Sequence, residues 1–315
     1  MRLPARTPRV LFAGVTGCAL LLTGCGKGDG TTGSGGVSLG FVNGGDTTFH
    51  SCLQKAVEAQ AGTEGAKVYT ANSHQNAGTE LSNIEDMISR GVSALIVQTV
   101  NVDALKGDIA KAKAAGVPIY LTSVVTSDTD DILGAAVVDL KKVGSLDAGW
   151  VAEDAAGKDV QVGIVAGAPG AASDLLVGGF QDALPATAKV VANQPGMFNP
   201  AKAQDVAENM IQANPDLDYA FVANEEMAFG VRKAFDAAGK DVGIVTVNGT
   251  DEGLAAVKSG EFSATVANSA QVIGRTAVKN AVGLLDGKKV DKIADIPLLL
   301  VTDANLDEAP QYCAK

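Results

Sequence analysis

The chain is poor in the residues on which most hydrolases, metalloenzymes and nucleic-acid-binding proteins depend. It has two histidines, His50 and His74. Neither stands in a metal-spaced cluster or beside an evident acid–base partner, which argues against metal and imidazole chemistry. His50 stands beside Phe49 in the first loop, either at the rim of a ligand cleft or, the commoner case for a lone histidine, as a surface or helix-start residue. Arginine is as scarce: past residue 24 only Arg90, Arg232 and Arg275 remain. All three fall in helical stretches, none at the end of an apolar run. Planar, bidentate gripping of a carboxylate or phosphate generally uses arginine, so a neutral or cationic ligand is favoured over an anionic one. Basic residues number 25 against 36 acidic, a formal charge of −11, which opposes nucleic-acid binding. The one long apolar stretch, 10–22, is too short to span a membrane comfortably.

That stretch follows Arg2, Arg6 and Arg9, the form of a secretory signal over residues 1–24. It ends in Leu22-Thr23-Gly24-Cys25, which resembles the bacterial lipobox. The resemblance implies cleavage before Cys25, a lipid on its sulfur, and an extracytoplasmic protein held to the cell membrane by that lipid. Residues 25–36 then form a flexible Gly/Ser-rich tether. Cleavage would leave 22 basic residues against 36 acidic ones, a formal −14. The spacing Gly28-x-Gly30-x-x-Gly33 matches a dinucleotide fingerprint. It precedes the first strand instead of following one, so it carries no cofactor assignment. With Cys18 removed and Cys25 lipidated, Cys52 and Cys313 are left, either bridged or as two free thiols.

From residue 37 onward short apolar runs alternate with amphipathic stretches. Strands are expected near 37–42, 66–71, 94–99, 118–123, 132–138, 161–167, 189–193, 219–224, 242–248, 262–268 and 296–302. Unbroken apolar strands between helices mean an α/β protein with parallel sheets covered on both faces. Polar residues recur where the runs stop: Asn43, Asn72, Gln98, Ser123, Asp139, Asn224, Asn248 and Asn268. Any one of them is an ordinary turn former or helix cap. Repeated along one sheet edge, they offer the donors and acceptors that vicinal hydroxyls require. Phe49 and Phe198 fall in loops, either as minor core plugs or as an apolar wall for a sugar's C–H face.

The segment 220–230 carries the most information. Ala220-Phe221-Val222-Ala223 empties at Asn224 into a helix whose first turn holds Glu225 and Glu226, where the macrodipole favours negative charge. With Asn193-Gln194-Pro195-Gly196-Met197-Phe198 and Val247-Asn248-Gly249-Thr250-Asp251-Glu252-Gly253, it resembles the type I periplasmic sugar-binding proteins, most nearly those that bind ribose. The resemblance covers residues 37 to about 302. It implies two doubly wound parallel-sheet lobes joined by a three-strand hinge, with crossings near 137–140, 268–270 and 299–301. The first lobe would hold 37–138 and 270–299, the second 140–268 with 300–315. It further implies a monomer that closes on a small sugar or polyol and presents the closed form to an ABC transporter permease, with no cofactor, metal or nucleic acid.

Carried over by position, Asn224 keeps the family's Asn and Phe198 its aromatic. Asp46 and Phe49 fall in the first ligand loop, and Gln98 stands where ribose binders have Asn. Asp139 joins the set as a strand-end carboxylate. The Asp-Arg pair that grips ribose becomes Ser123-Val124, the second-lobe Arg is replaced near Asp174, and Asn248 and Asn268 replace an Asp and a Gln. Without both arginines the ribose contacts cannot be reproduced. Three rivals share parts of this pattern. A hydrolase would need Ser38, in Gly36-Val37-Ser38-Leu39-Gly40, on a strand-to-helix turn. A sugar-responsive repressor would need an N-terminal helix-turn-helix. A sensor for a membrane receptor or kinase would keep the fold and change the partner.

Overall fold

Strands that are apolar on both faces are stable only between two helical layers, and the computed structural model, which describes residues 36–314, is built that way. In chain order its elements are β1 (Ser38–Asn43), α1 (Thr48–Thr63), β2 (Lys67–Asn72), α2 (Ala77–Ser89), β3 (Ala94–Val97), α3 (Lys106–Ala114), β4 (Ile119–Ser123) and β5 (Gly134–Val137). There follow α4 (Leu140–Ala155), β6 (Val160–Ala166), α5 (Ala171–Ala183), β7 (Ala188–Pro195), α6 (Pro200–Ala213), β8 (Tyr219–Val222), α7 (Glu225–Ala237), β9 (Gly243–Asn248), α8 (Asp251–Ser259), β10 (Ala264–Ala267), α9 (Ala270–Leu285), β11 (Ile293–Asp295) and β12 (Leu299–Val301). The expected secretory segment 1–24, the expected lipid attachment at Cys25 and the expected tether lie outside the described residues, apart from Gly36.

Two six-stranded sheets result, one for each of two α/β lobes. The first has the order β2-β1-β3-β4-β5-β11, the second β7-β6-β8-β9-β10-β12. Both repeat the doubly wound pattern in which the first βα unit sits beside the second and the chain then reverses direction across the sheet. Pairing is parallel throughout except between β12 and β10, which run antiparallel with Val266 opposite Leu300. The strand expected at 296–302 is the short β12, and a second three-residue strand, β11, precedes it unexpectedly. Ile293–Asp295 extends the first sheet alongside Ala135–Val137, and after Pro297 the chain enters the second. The crossing falls at 296–298, before the expected 299–301. A three-residue strand carries too little pattern to be read from sequence.

The central strands explain the apolar runs: Leu39, Phe41 and Val42 in β1, residues 94–97 in β3, and residues 219–222 in β8 are all buried. The helices lay one face on them. α4 packs on α5, α6 on α7, and α1 on α9, so α9 lies against an element near the start of the chain. A disulfide between Cys52 and Cys313 joins α1 to the C-terminal tail, with Cα atoms 4.8 Å apart and 261 residues between them. The tail is also held by hydrogen bonds from Gln271 N–H to the Tyr312 carbonyl and from the Ser269 hydroxyl to the Gln311 carbonyl.

Candidate functional site

Because the strands of each sheet run parallel, their carboxyl ends share one edge, and a crevice there is the usual ligand position. Between the two edges lies a cavity of about 380 Å³. Gln98, Ser123, Asn224, Asn248 and Asn268 all line it, as do Phe49 and Phe198. They arrive from successive strand ends: Gln98 after β3, Ser123 closing β4, Asn224 after β8, Asn248 closing β9 and Asn268 after β10.

The protein has oriented several of these amides. Gln98 Oε1 accepts from Gly44 N–H at 3.0 Å and faces His50 Nε2 at 3.1 Å, which leaves its NH₂ for the cavity. Gly44 permits this approach, since a Cβ there would sit 2.2 Å from Gln98 Oε1. Asn224 Oδ1 caps α7 by accepting Met227 N–H at 2.9 Å. Asn248 Nδ2 donates to Tyr312 Oη at 2.9 Å. Two of the lining residues hold unusual backbone angles, Ser123 at φ 68° and Asn248 at φ 144°. Strain of this kind persists only where surrounding structure enforces it and tends to gather at binding sites. Phe198, also at positive φ, lays its ring against Gly167, where a Cβ would meet the ring at 2.2 Å.

Three carboxylates expected among these residues lie outside the cavity. Asp46 is on the exterior, accepting from Asn72 Nδ2 at 2.7 Å and paired with His74 Nδ1 at 2.7 Å. Asp139 is exposed and caps α4 through Lys142 N–H. Asp174 is exposed in the first turn of α5. Each has water or a donor at hand, whereas an unpaired carboxylate inside the cavity would carry a desolvation penalty. The arginines are absent from it as well. Arg232 is buried elsewhere, donating to the carbonyls of Val242 and Lys240, and Arg90 and Arg275 are exposed. No Asp, Glu, Lys or Arg lines the cavity among the described residues.

His50 does line it, beside Phe49, so the cleft-rim alternative holds over a purely surface role. It is also a helix-start residue, since Thr47 N–H donates to Nδ1 at 3.3 Å. That bond makes Nδ1 the acceptor and leaves Nε2–H to donate to Gln98. Burial lowers its pKa to about 4, against smaller upward pulls from Gln98, Asp46 and Glu226. Thr47, Gln75, Asn101, Leu140, Leu176 and the 168–173 segment also line the cavity and were missed. Their spacing carries no signal, because the tertiary fold alone gathers them.

Beside the cavity, Glu225 is buried and accepts from Gly249 N–H, Thr250 N–H and the hydroxyls of Thr250 and Thr265. It fixes the β9–α8 turn that carries Asn248. Burial raises its pKa, and those four bonds oppose the shift. Ser38 begins β1 and is not on a strand-to-helix turn, so it lacks the geometry of a nucleophile. Among the described residues no group of three or more His, Cys, Asp or Glu is placed to hold a metal ion.

A family model described as a periplasmic binding protein domain matches residues 39–289. The chain belongs to the periplasmic binding protein family. Within it, the chain is 32% identical over 268 residues to the ribose import binding protein RbsB of Bacillus subtilis (strain 168), covering 85% of this chain and 86% of that one. It is 26% identical to a xylitol-binding protein of Mycolicibacterium smegmatis, over 99% of this chain and 90% of that one. Among solved structures, the fold matches a Bacillus halodurans ABC transporter solute-binding protein with bound myo-inositol. The TM-score there is 0.83 at 24% identity, over 88% of this chain and 98% of the other. This periplasmic binding protein is a solute binder and not an enzyme.

Proposed function

We propose that the chain captures a small neutral polar ligand, a sugar or polyol, between its lobes and delivers it to an ABC transporter permease. One observation carries this reading: the cavity is lined by amides, hydroxyls, one neutral histidine and apolar side chains, with no charged group. Such a lining can satisfy hydroxyls and cannot neutralise a phosphate or carboxylate. The relatives whose names print ribose and xylitol accord with it. The ligand contacts come from Phe49, Gln98, Ser123, Phe198, Asn224, Asn248 and Asn268. The first lobe holds 37–138 with 270–295, the second 140–268 with 299–315, because β12 already pairs with β10 from Leu299. The tail's disulfide to α1 ties its end back to the first lobe.

In the same proposal the mature protein is a monomer, tethered outside the cytoplasm by a lipid on Cys25. Cys25→Ser would release it from membranes with ligand affinity unchanged. The reading is tested by thermal shift of residues 26–315 against neutral sugars, polyols, amines and sugar phosphates. A neutral polyhydroxy compound raising the melting temperature supports it, since a ligand preferring the native form stabilises that form. Stabilisation by phosphorylated or carboxylated compounds alone refutes it.

A further inference from the structure

The cavity's polar groups are unevenly placed. In the second sheet, β8, β9 and β10 are neighbours, and their ends bring Asn224, Asn248 and Asn268 together as an amide pole facing Gln98 of the first sheet. Next to β8 stands β6, followed at the sheet edge by β7, and there the lining changes character. The segment after β6 reads Ala168-Pro169-Gly170-Ala171-Ala172, which brings no side-chain donor or acceptor. Leu140 and Leu176, both buried, complete the wall with Met197 and Phe198 after β7. Ser173 is the only side-chain hydroxyl of that segment, and it is 4% exposed.

A sugar with hydroxyls on every side would set some of them against this wall. The first N–H groups of α5 could donate to an oxygen there, but within residues 168–173 the Ser173 hydroxyl is the one side-chain acceptor for a hydroxyl proton, too few for a ligand hydroxylated along that whole side. Leaving such a proton unpaired costs more than the contact returns. The volume is equally suggestive. A cavity of about 380 Å³ holds roughly a dozen waters at about 30 Å³ each, room for a furanose or pyranose ring with a substituent.

We propose that the ligand is a carbohydrate or polyol derivative with an apolar part, either a deoxy carbon or an alkyl group. Its hydroxyls meet the pole of Gln98, Asn224, Asn248 and Asn268, and its apolar part packs on Leu140, Ala171, Leu176 and Phe198. This rests on the neutral-ligand reading above and narrows it to an amphipathic class.

The test is calorimetric titration with matched pairs, in which each hexose is compared with its 6-deoxy analogue and each free sugar with its methyl and propyl glycosides. The apolar member should bind about tenfold more tightly in at least one series, with a more negative heat-capacity change. Leu176→Asn should bring that ratio close to one. Should it fail to fold, Ala171→Ser, on a less buried position, should narrow the ratio in the same direction. Tighter binding of the parent sugar in every pair overturns the inference while leaving the neutral-ligand reading intact, as does a ratio that neither substitution alters. If no member of any pair binds, the neutral-carbohydrate reading fails and this inference with it.

Discussion

The Glu226 carboxylate, in the first turn of α7, accepts both the backbone N–H and the hydroxyl of Thr48, the first residue of α1. One residue belongs to the second-sheet lobe and the other to the first, so this bond spans the cleft. It also supplies a charged acceptor to one of the unpaired N–H groups at a helix N-terminus. Glu226→Ala should therefore weaken the form in which the lobes meet. Ligand affinity should fall about threefold to tenfold, as expected for loss of one charge-assisted hydrogen bond. Small-angle scattering of the ligand-free variant should show a larger radius of gyration. An unchanged affinity and radius would mean that the contact holds nothing shut.

The Cys52–Cys313 bridge closes nearly the whole folded chain into one loop. Replacing both cysteines with serine should lower unfolding free energy by roughly 2–4 kcal/mol in urea. Hydrogen exchange should rise most at Gln271, whose N–H is bonded to the tail. Equal stability of wild type with and without reductant would contradict this.

Asp147 on α4 is fully buried, and neither carboxylate oxygen has a hydrogen-bond partner. Burial first, then the nearby Glu225 carboxylate, pushes its pKa well above the ordinary value. A raised carboxyl pKa contributes stability that is complete below the unfolded value and lost as pH climbs toward the folded one. Asp147→Asn should thus match wild type near pH 3 and exceed it increasingly toward neutrality. The difference should grow by up to about 1.4 kcal/mol per pH unit. Chemical denaturation at several pH values checks this, and a difference independent of pH would refute it.

His50 titrates in the opposite sense, its pKa lowered to about 4 mainly by burial. As pH falls below the ordinary value of 6.5, the unfolded chain takes up a proton that the folded chain refuses, so stability declines between there and about 4. Protonation would also remove Nδ1 as the acceptor of Thr47 N–H. Ligand affinity should accordingly hold steady down to about pH 5 and drop near 4. His50→Gln should flatten the stability decline. An imidazole shown by NMR to titrate near 6.5 would contradict both expectations.

Much of this molecule was legible in one dimension. Alternating apolar runs and amphipathic stretches prescribe parallel βα layers, because a strand apolar on both faces has nowhere else to go. Amides at the ends of such strands must share an edge, so Gln98, Asn224, Asn248 and Asn268 could be grouped before any coordinates. Asp46, Asp139 and Asp174 were grouped with them because chain position does not say whether a carboxylate turns inward. Only packing put those three into solvent, brought His50 into the lining, set β11 and β12 in different sheets, and joined Cys52 to Cys313. Residues from different strands and lobes meet at distances set by the whole fold. Local pattern therefore determines which elements form, whereas burial and partnership are decided when the elements close on one another.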